Sequence, residues 1–266
     1  MKVFNINMTE WKEKKGTAFQ LLDEGSIQYI ASAIGNKMGE YPYECTDYLK
    51  SLQCLQEIVH EDTKYLFWDC KQDELIRILM RDLSQIDHEQ LHLFAECIGG
   101  VQGLMQSYRK AIEVFSNFMS VYPNLLPAET YCYFMNQDKA SVGIATCSFG
   151  DIKTFYQDAY ESLLSLLYFP VCLDNICLRG GFESFGSDYD DVYCKKIRDL
   201  AWYRSIDNGT RINKLNINEH FQNIVGLTAN RLLRNGIGHN NIEYDGITQR
   251  ITAYDFKKHD KVVLET

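Results

Sequence analysis

Between His88 and Tyr122 apolar residues recur at helical spacing with no proline among them, and this run sets most of what the chain can become. Leu91, Phe94, Ala95, Ile98, Val101, Leu104, Met105, Ile112, Phe115, Phe118 and Met119 carry the pattern. Gly99, Gly100 and Gly103 fall inside it, where a kink or a close helix contact is expected. Upstream, Leu75, Ile76, Leu79, Met80 and Leu83 keep the same spacing, so residues 8–122 read as a series of helices. The chain holds only 4 Pro in 266 residues, against a usual share of about 5%. Helix breakers are therefore few, and Pro123 and Pro127 are expected to end the long run.

Past those prolines the pattern changes. Thr130–Met135 is aromatic-rich, Asn136–Lys139 has turn chemistry, and Ser141–Phe149 is small and β-branched. A hairpin or extended connector over 128–150 is expected, dividing a helical region 1–127 from a domain 151–266. In that domain Asp151 is placed to cap a long helix reaching Leu178, kinked at Pro170 and closed by Gly180–Gly181. A Gly-, Ser- and Asp-rich loop follows, then a helix near Val192–Tyr203 and another over Asn213–Arg234. The end turns to short strands at Asn241–Tyr244, Ile247–Tyr254 and Lys261–Glu265, with Asp245-Gly246 as a tight turn. The fold class expected is all-α, a helical bundle, with a small C-terminal β hairpin or meander.

Composition narrows the function classes. Apolar residues make up 45% and charged residues 24%, which excludes disorder as the main state. A net charge of −9 argues against a surface that is basic throughout, though not against a local basic patch. Nine cysteines lie scattered without a CxxC pair, as expected for small buried hydrophobes in a reducing cytosol. No clustered ligand set suggests a metal or cofactor; Asp188, Asp190 and Asp191 read as a solvated acidic loop. The start of the chain is charged too early for a secretory leader. The apolar stretch Leu163–Leu173 is too short to span a bilayer. A soluble cytoplasmic protein with no membrane partner is expected.

One short segment carries candidate chemistry: Arg234-Asn235-Gly236-Ile237-Gly238-His239. Arg234 is read as lying in the last turn of a helix that the glycines unwind, with Asn235 and His239 on one face if the turn persists. Arginine can clamp phosphate oxygens and stabilise charge that builds on them. Histidine can take or give a proton near neutral pH. On RNA the adjacent 2′-hydroxyl is a built-in nucleophile, so the set suffices without a metal. A looser version, Arg81 to His88, reads instead as a helix end with Asp87 as N-cap. For Arg234–His239 the plain alternative is a helix stop with glycine as the cap.

The segment Leu232–Asp245 resembles the signature end of the HEPN superfamily, helical bundles in which many members carry an Arg, a polar residue and a downstream His. The resemblance spans about the last 115 residues and is sharp over the last 35 or so. It implies a metal-independent endoribonuclease of phage defence, abortive infection or a toxin–antitoxin system. It also implies that two copies pair to form a composite site. Carried onto this chain, it makes Arg234 and His239 catalytic and Asn235 their polar support. An antitoxin or defence partner protein is implied as well.

Charge adds a second pointer. Residues 195–234 hold the basic side chains Lys195, Lys196, Arg198, Arg204, Arg211, Lys214, Arg231 and Arg234 against Asp199, Asp207 and Glu219. Such a patch suits an RNA backbone, or else a solvated helix face. Arg231, one turn before Asn235, is the best second phosphate contact. Of the adjacent aromatics, Tyr203 is a candidate to stack on bases and Trp202 reads as core. Two rivals remain open: a non-catalytic module that binds a nucleotide, RNA or a protein, and an interaction protein whose activity lies in residues 1–127.

Overall fold

The computed structural model describes residues 84–137, 142–185, 197–208, 211, 230–254 and 262–265, with scattered positions between 13 and 81. Two compact units divide the chain, residues 1–85 with 99–105, and residues 86–98 with 106–266. The stretch 128–150 expected as a connector lies within the second unit. The described elements are α1 (His88–Cys97), α2 (Gly100–Met135), α3 (Phe149–Leu164), α4 (Tyr168–Arg179), α5 (Leu200–Ser205), α6 (Arg231–Gly238), β1 (Ile242–Tyr244), β2 (Ile251–Tyr254) and β3 (Val262–Glu265). The molecule is mostly helical with a small C-terminal antiparallel sheet.

Local chemistry sets several boundaries as the sequence suggests. Asp87 caps α1 by accepting the Glu89 amide at 2.9 Å. Gly180 closes α4 in the left-handed region, φ 74°, where a Cβ would be strained. Others need correction. Pro123 and Pro127 do not stop α2, which runs on to Met135 and absorbs the segment expected as a hairpin strand. Each proline removes one backbone donor, a penalty of about 3 kcal/mol. Packing offsets it: Met119 and Cys132 are buried on either side of the prolines, and Phe118 packs on Phe155 with ring centroids 5.8 Å apart. Thr146 also donates its hydroxyl to the Asn124 carbonyl between the two prolines.

Helix α3 starts one turn earlier than expected. Ser148, not Asp151, is its N-cap, accepting the Asp151 amide at 3.1 Å and donating its hydroxyl to the Asp151 carboxylate at 2.7 Å. The expected single kinked helix is two helices, because residues 165–167 form a tight turn with Leu166 and Leu167 bonded back to Leu163 and Leu164. Pro170 then sits in the first turn of α4, where its missing N–H matters least. The stretch 149–179 reaches the length and hydropathy of a membrane span. Here it is broken by that turn and buries Tyr160, Leu164, Tyr168, Val171, Cys172 and Ile176.

Around α4 the second unit assembles its core. Phe94 of α1 meets Phe169 and Phe182 edge-on or tilted at 5.7 and 5.8 Å, and Tyr168 stacks on Phe169 at 4.5 Å. A buried polar knot crosses it: Arg179 donates to Asp174 and to Asn175, each at 3.1 Å, and Asn175 donates to the Phe182 carbonyl at 2.9 Å. Burial pushes the Cys172 thiol up. Cys132 is buried too, whereas Cys97 and Cys177 are exposed, so burial does not account for every cysteine.

The meander is present, in the order β1-β2-β3, with Ile242 opposite Ala253 and Tyr244 opposite Ile251. Its first turn is wider than the two-residue one expected. Asp245 accepts the Ile247 and Thr248 amides at 2.8 and 3.3 Å, so β2 begins only at Ile251. Those amides hold the exposed Asp245 carboxyl below the usual carboxylate range. Gln249 then bonds Ile144 twice, at 2.6 and 3.0 Å, and Tyr244 stacks on Phe149 at 4.4 Å, pinning the sheet to the start of α3.

Candidate functional site

Helix α6 carries the candidate motif, and it is built differently from the sequence expectation. Asn230 is extended (φ −74°, ψ 99°) and caps α6 by accepting the Leu232 and Leu233 amides at 3.0 and 3.1 Å. The helix therefore begins at Arg231 and does not continue from an Asn213–Arg234 helix; residues 212–229 lie outside the described residues. The Tyr156 hydroxyl of α3 donates to the Asn230 carbonyl at 3.2 Å. Burial pushes that phenol up, so it stays a donor. Gly236 and Gly238 are helical rather than unwinding the chain, and His239 is the C-cap.

A left-handed asparagine, not a glycine, ends α6. Asn240 has φ 55°; its amide donates to the Ile237 carbonyl at 3.2 Å, and the Asn241 amide donates to the Gly236 carbonyl at 2.7 Å. This is the paired 5→2 and 6→1 closure of a Schellman motif. Asn240→Gly is therefore expected to leave thermal stability unchanged or slightly raised. Asn240→Val should lower it by about 1–2 kcal/mol in a melting experiment, because a β-branched residue resists positive φ.

Arg234 projects from α6 onto α3. Its Nε donates to Glu161 Oε1 at 2.7 Å, its Nη2 forms a close ion pair with the same oxygen, and its Nη1 donates to Asn235 Oδ1 at 3.5 Å. The pair is half-buried, with side-chain exposures of 31% and 40%. Glu161 is the partner of Arg234 that sequence reasoning missed. It stands 73 positions before Arg234, and no local spacing links them. Its other oxygen accepts Asn208 Nδ2 at 2.7 Å, and Asn208 Oδ1 accepts Arg211 Nη1 at 3.1 Å, so a polar chain runs from Arg234 to Arg211. The expected one-turn relation of Asn235 and His239 holds, since the His239 amide donates to the Asn235 carbonyl at 3.0 Å. The His239 side chain is exposed at that helix end.

The basic patch separates into parts. Arg198 and Arg204 are exposed, with Arg198 over the Trp202 ring at 5.2 Å and Arg204 over the Tyr168 ring at 5.0 Å. Arg211 is partly buried and committed to Asn208 and the Arg204 carbonyl. The two aromatics exchange the roles expected of them. Tyr203 is fully buried, stacked on Phe185, and Trp202 is 41% exposed. The reason is α5 itself: Asp199 caps it by accepting the Trp202 amide, and the helix starts at Leu200 rather than near Val192, which turns Leu200 and Tyr203 inward. Arg231 is helical, but its side chain, like Lys195, Lys196, Lys214 and the acids 188–191, lies outside the described residues. Among the described residues no three metal-ligating side chains come together.

Chemically, the described site offers a fixed guanidinium, an adjacent amide and an exposed imidazole at the end of one short helix. No protein-family model, curated protein or solved structure matches the chain.

Proposed function

We propose that the chain is a metal-independent endoribonuclease of the HEPN type, cytoplasmic, and serving phage defence, abortive infection or a toxin–antitoxin pair. The observation that carries the reading is Arg234 held by Glu161 next to Asn235, with His239 exposed where α6 ends. A guanidinium fixed before substrate arrives needs no reorganisation as charge builds on a phosphate, which is where such a group is worth most. In the reaction the RNA 2′-oxygen forms a bond to phosphorus as the bond to the 5′-oxygen breaks. His239 takes the 2′ proton or gives one to the leaving 5′-oxygen, Arg234 binds the phosphorane-like oxygens, and Asn235 orients the phosphate or the imidazole. One imidazole cannot serve as base and acid at once, so a homodimer that brings two motifs together fits the chemistry.

A binding module is the reading to beat, because Arg234 paired to Glu161 also serves as a latch between α6 and α3. The test is a cleavage assay on single-stranded and structured RNAs with EDTA present, at concentrations where light scattering fixes the oligomeric state. Cleavage by a dimer, leaving 2′,3′-cyclic phosphate or 3′-phosphate ends, is expected. A 3′-hydroxyl product made only with magnesium would sink the mechanism, and no cleavage from a folded dimer would favour the binding module.

A further inference from the structure

We propose that the cleft between the α3–α4 turn and α5 binds a phosphomonoester, at a place distinct from Arg234 and His239. The cleft has a volume of about 170 Å³ and is lined by Leu164, Ser165, Tyr168, Tyr203, Arg204 and Arg211. Among the described residues no acidic side chain lines it and neither arginine forms an ion pair with a carboxylate. Its described lining is two positive charges against an apolar, aromatic wall. Two guanidiniums without a direct ion pair among the described residues favour an anion beside them.

Both guanidiniums are held before any ligand arrives. Arg204 rests on the Tyr168 ring at 5.0 Å, and that ring is fixed by a 2.8 Å bond between its hydroxyl and Ser107. Arg211 is held by Asn208 at 3.1 Å and by the Arg204 carbonyl, which ties the two arginines together. Its Nε is buried with no hydrogen-bond partner among the described residues, so bonds to a ligand would come from the hydrogens left on Nη1 and Nη2. Preorganised arginines recognise phosphate oxygens by paired, directional bonds. Charge matching to two guanidiniums decides between phosphate types. An internal phosphodiester carries one charge and chain on both sides, whereas a terminal phosphate carries up to two charges and enters from one side. The cleft fits the second.

Nucleoside monophosphates and RNA ends both present that group, and the proposal does not depend on the chain cleaving RNA. Calorimetric titration of the full chain with inorganic phosphate, AMP, and an RNA trinucleotide with or without a 5′-phosphate tests it. Saturable binding of inorganic phosphate is expected, weakened about tenfold or more in Arg204→Gln and in Arg211→Gln. Tighter binding of AMP than of the 5′-phosphorylated trinucleotide assigns the site to free nucleotides, and the reverse order assigns it to RNA ends. Because Arg211 is part of the packed network, Arg204→Gln at the exposed rim is the deciding variant should Arg211→Gln fail to fold. No saturable phosphate binding, or wild-type affinity in Arg204→Gln, overturns the proposal.

Discussion

Replacing Arg234 or His239 with alanine is expected to lower RNA cleavage by about 10²–10⁴-fold while moving the melting temperature little. The two readouts part company for a physical reason. The Arg234–Glu161 pair is about a third exposed on each side, and ion pairs that open to solvent contribute only about 0–1 kcal/mol to folding. His239 is exposed, and its cap role uses backbone groups that alanine also has. Glu161→Gln separates positioning from chemistry. It keeps an acceptor for Arg234 Nε but removes the charge that holds the guanidinium, so a smaller loss, about tenfold, is expected. Cleavage unchanged in Arg234→Ala and His239→Ala would remove the motif from the mechanism and leave it as a helix latch. A large loss of stability in Arg234→Ala, with cleavage per folded molecule intact, would lead to the same conclusion.

What could be read from the sequence was local. Periodic apolar residues gave α1 and the first part of α2, Asp87 and Gly180 marked real caps, and the change of period near Asn241 marked the sheet. Each of these depends on residues within a turn or two of one another. The errors share the opposite property. Pro123 and Pro127 carry strong local stop signals, yet burial at Met119 and Cys132 carries the helix through them. Trp202 reads as core and Tyr203 as a stacking surface, but the capped start of α5 decides which faces inward, and it is the tyrosine. The candidate site divides in the same way. Arg234, Asn235 and His239 were legible because they are adjacent on one short helix. Glu161 and Asn208 were not, since only the packing of α6 on α3 and the fold of the α5 region bring them together.

Two glycines in the motif are expected to respond in opposite directions, and the pair tests how the site is held. Gly236 faces the sheet: a Cβ there would lie 2.7 Å from Ile242 Cγ2 and 3.1 Å from Ala253 Cβ. Ala253 is fully buried, and its Cβ has no rotamer to change. Gly236→Val must therefore push α6 off β2, an overpacking penalty of about 3 kcal/mol, or roughly 6–12 °C in melting temperature. At Gly238 the nearest atom to an added Cβ is Arg234 Nη1 at 3.6 Å, an ordinary contact. Gly238→Ala is thus expected to gain helix propensity, about 1 kcal/mol, and to melt slightly higher. Displacing α6 would also carry Arg234 away from Glu161 on α3, so Gly236→Val should lose cleavage at temperatures where it is still folded. Wild-type stability in Gly236→Val would mean that α6 is not seated on the sheet as described. The link between that packing and the placement of Arg234 would then fail with it.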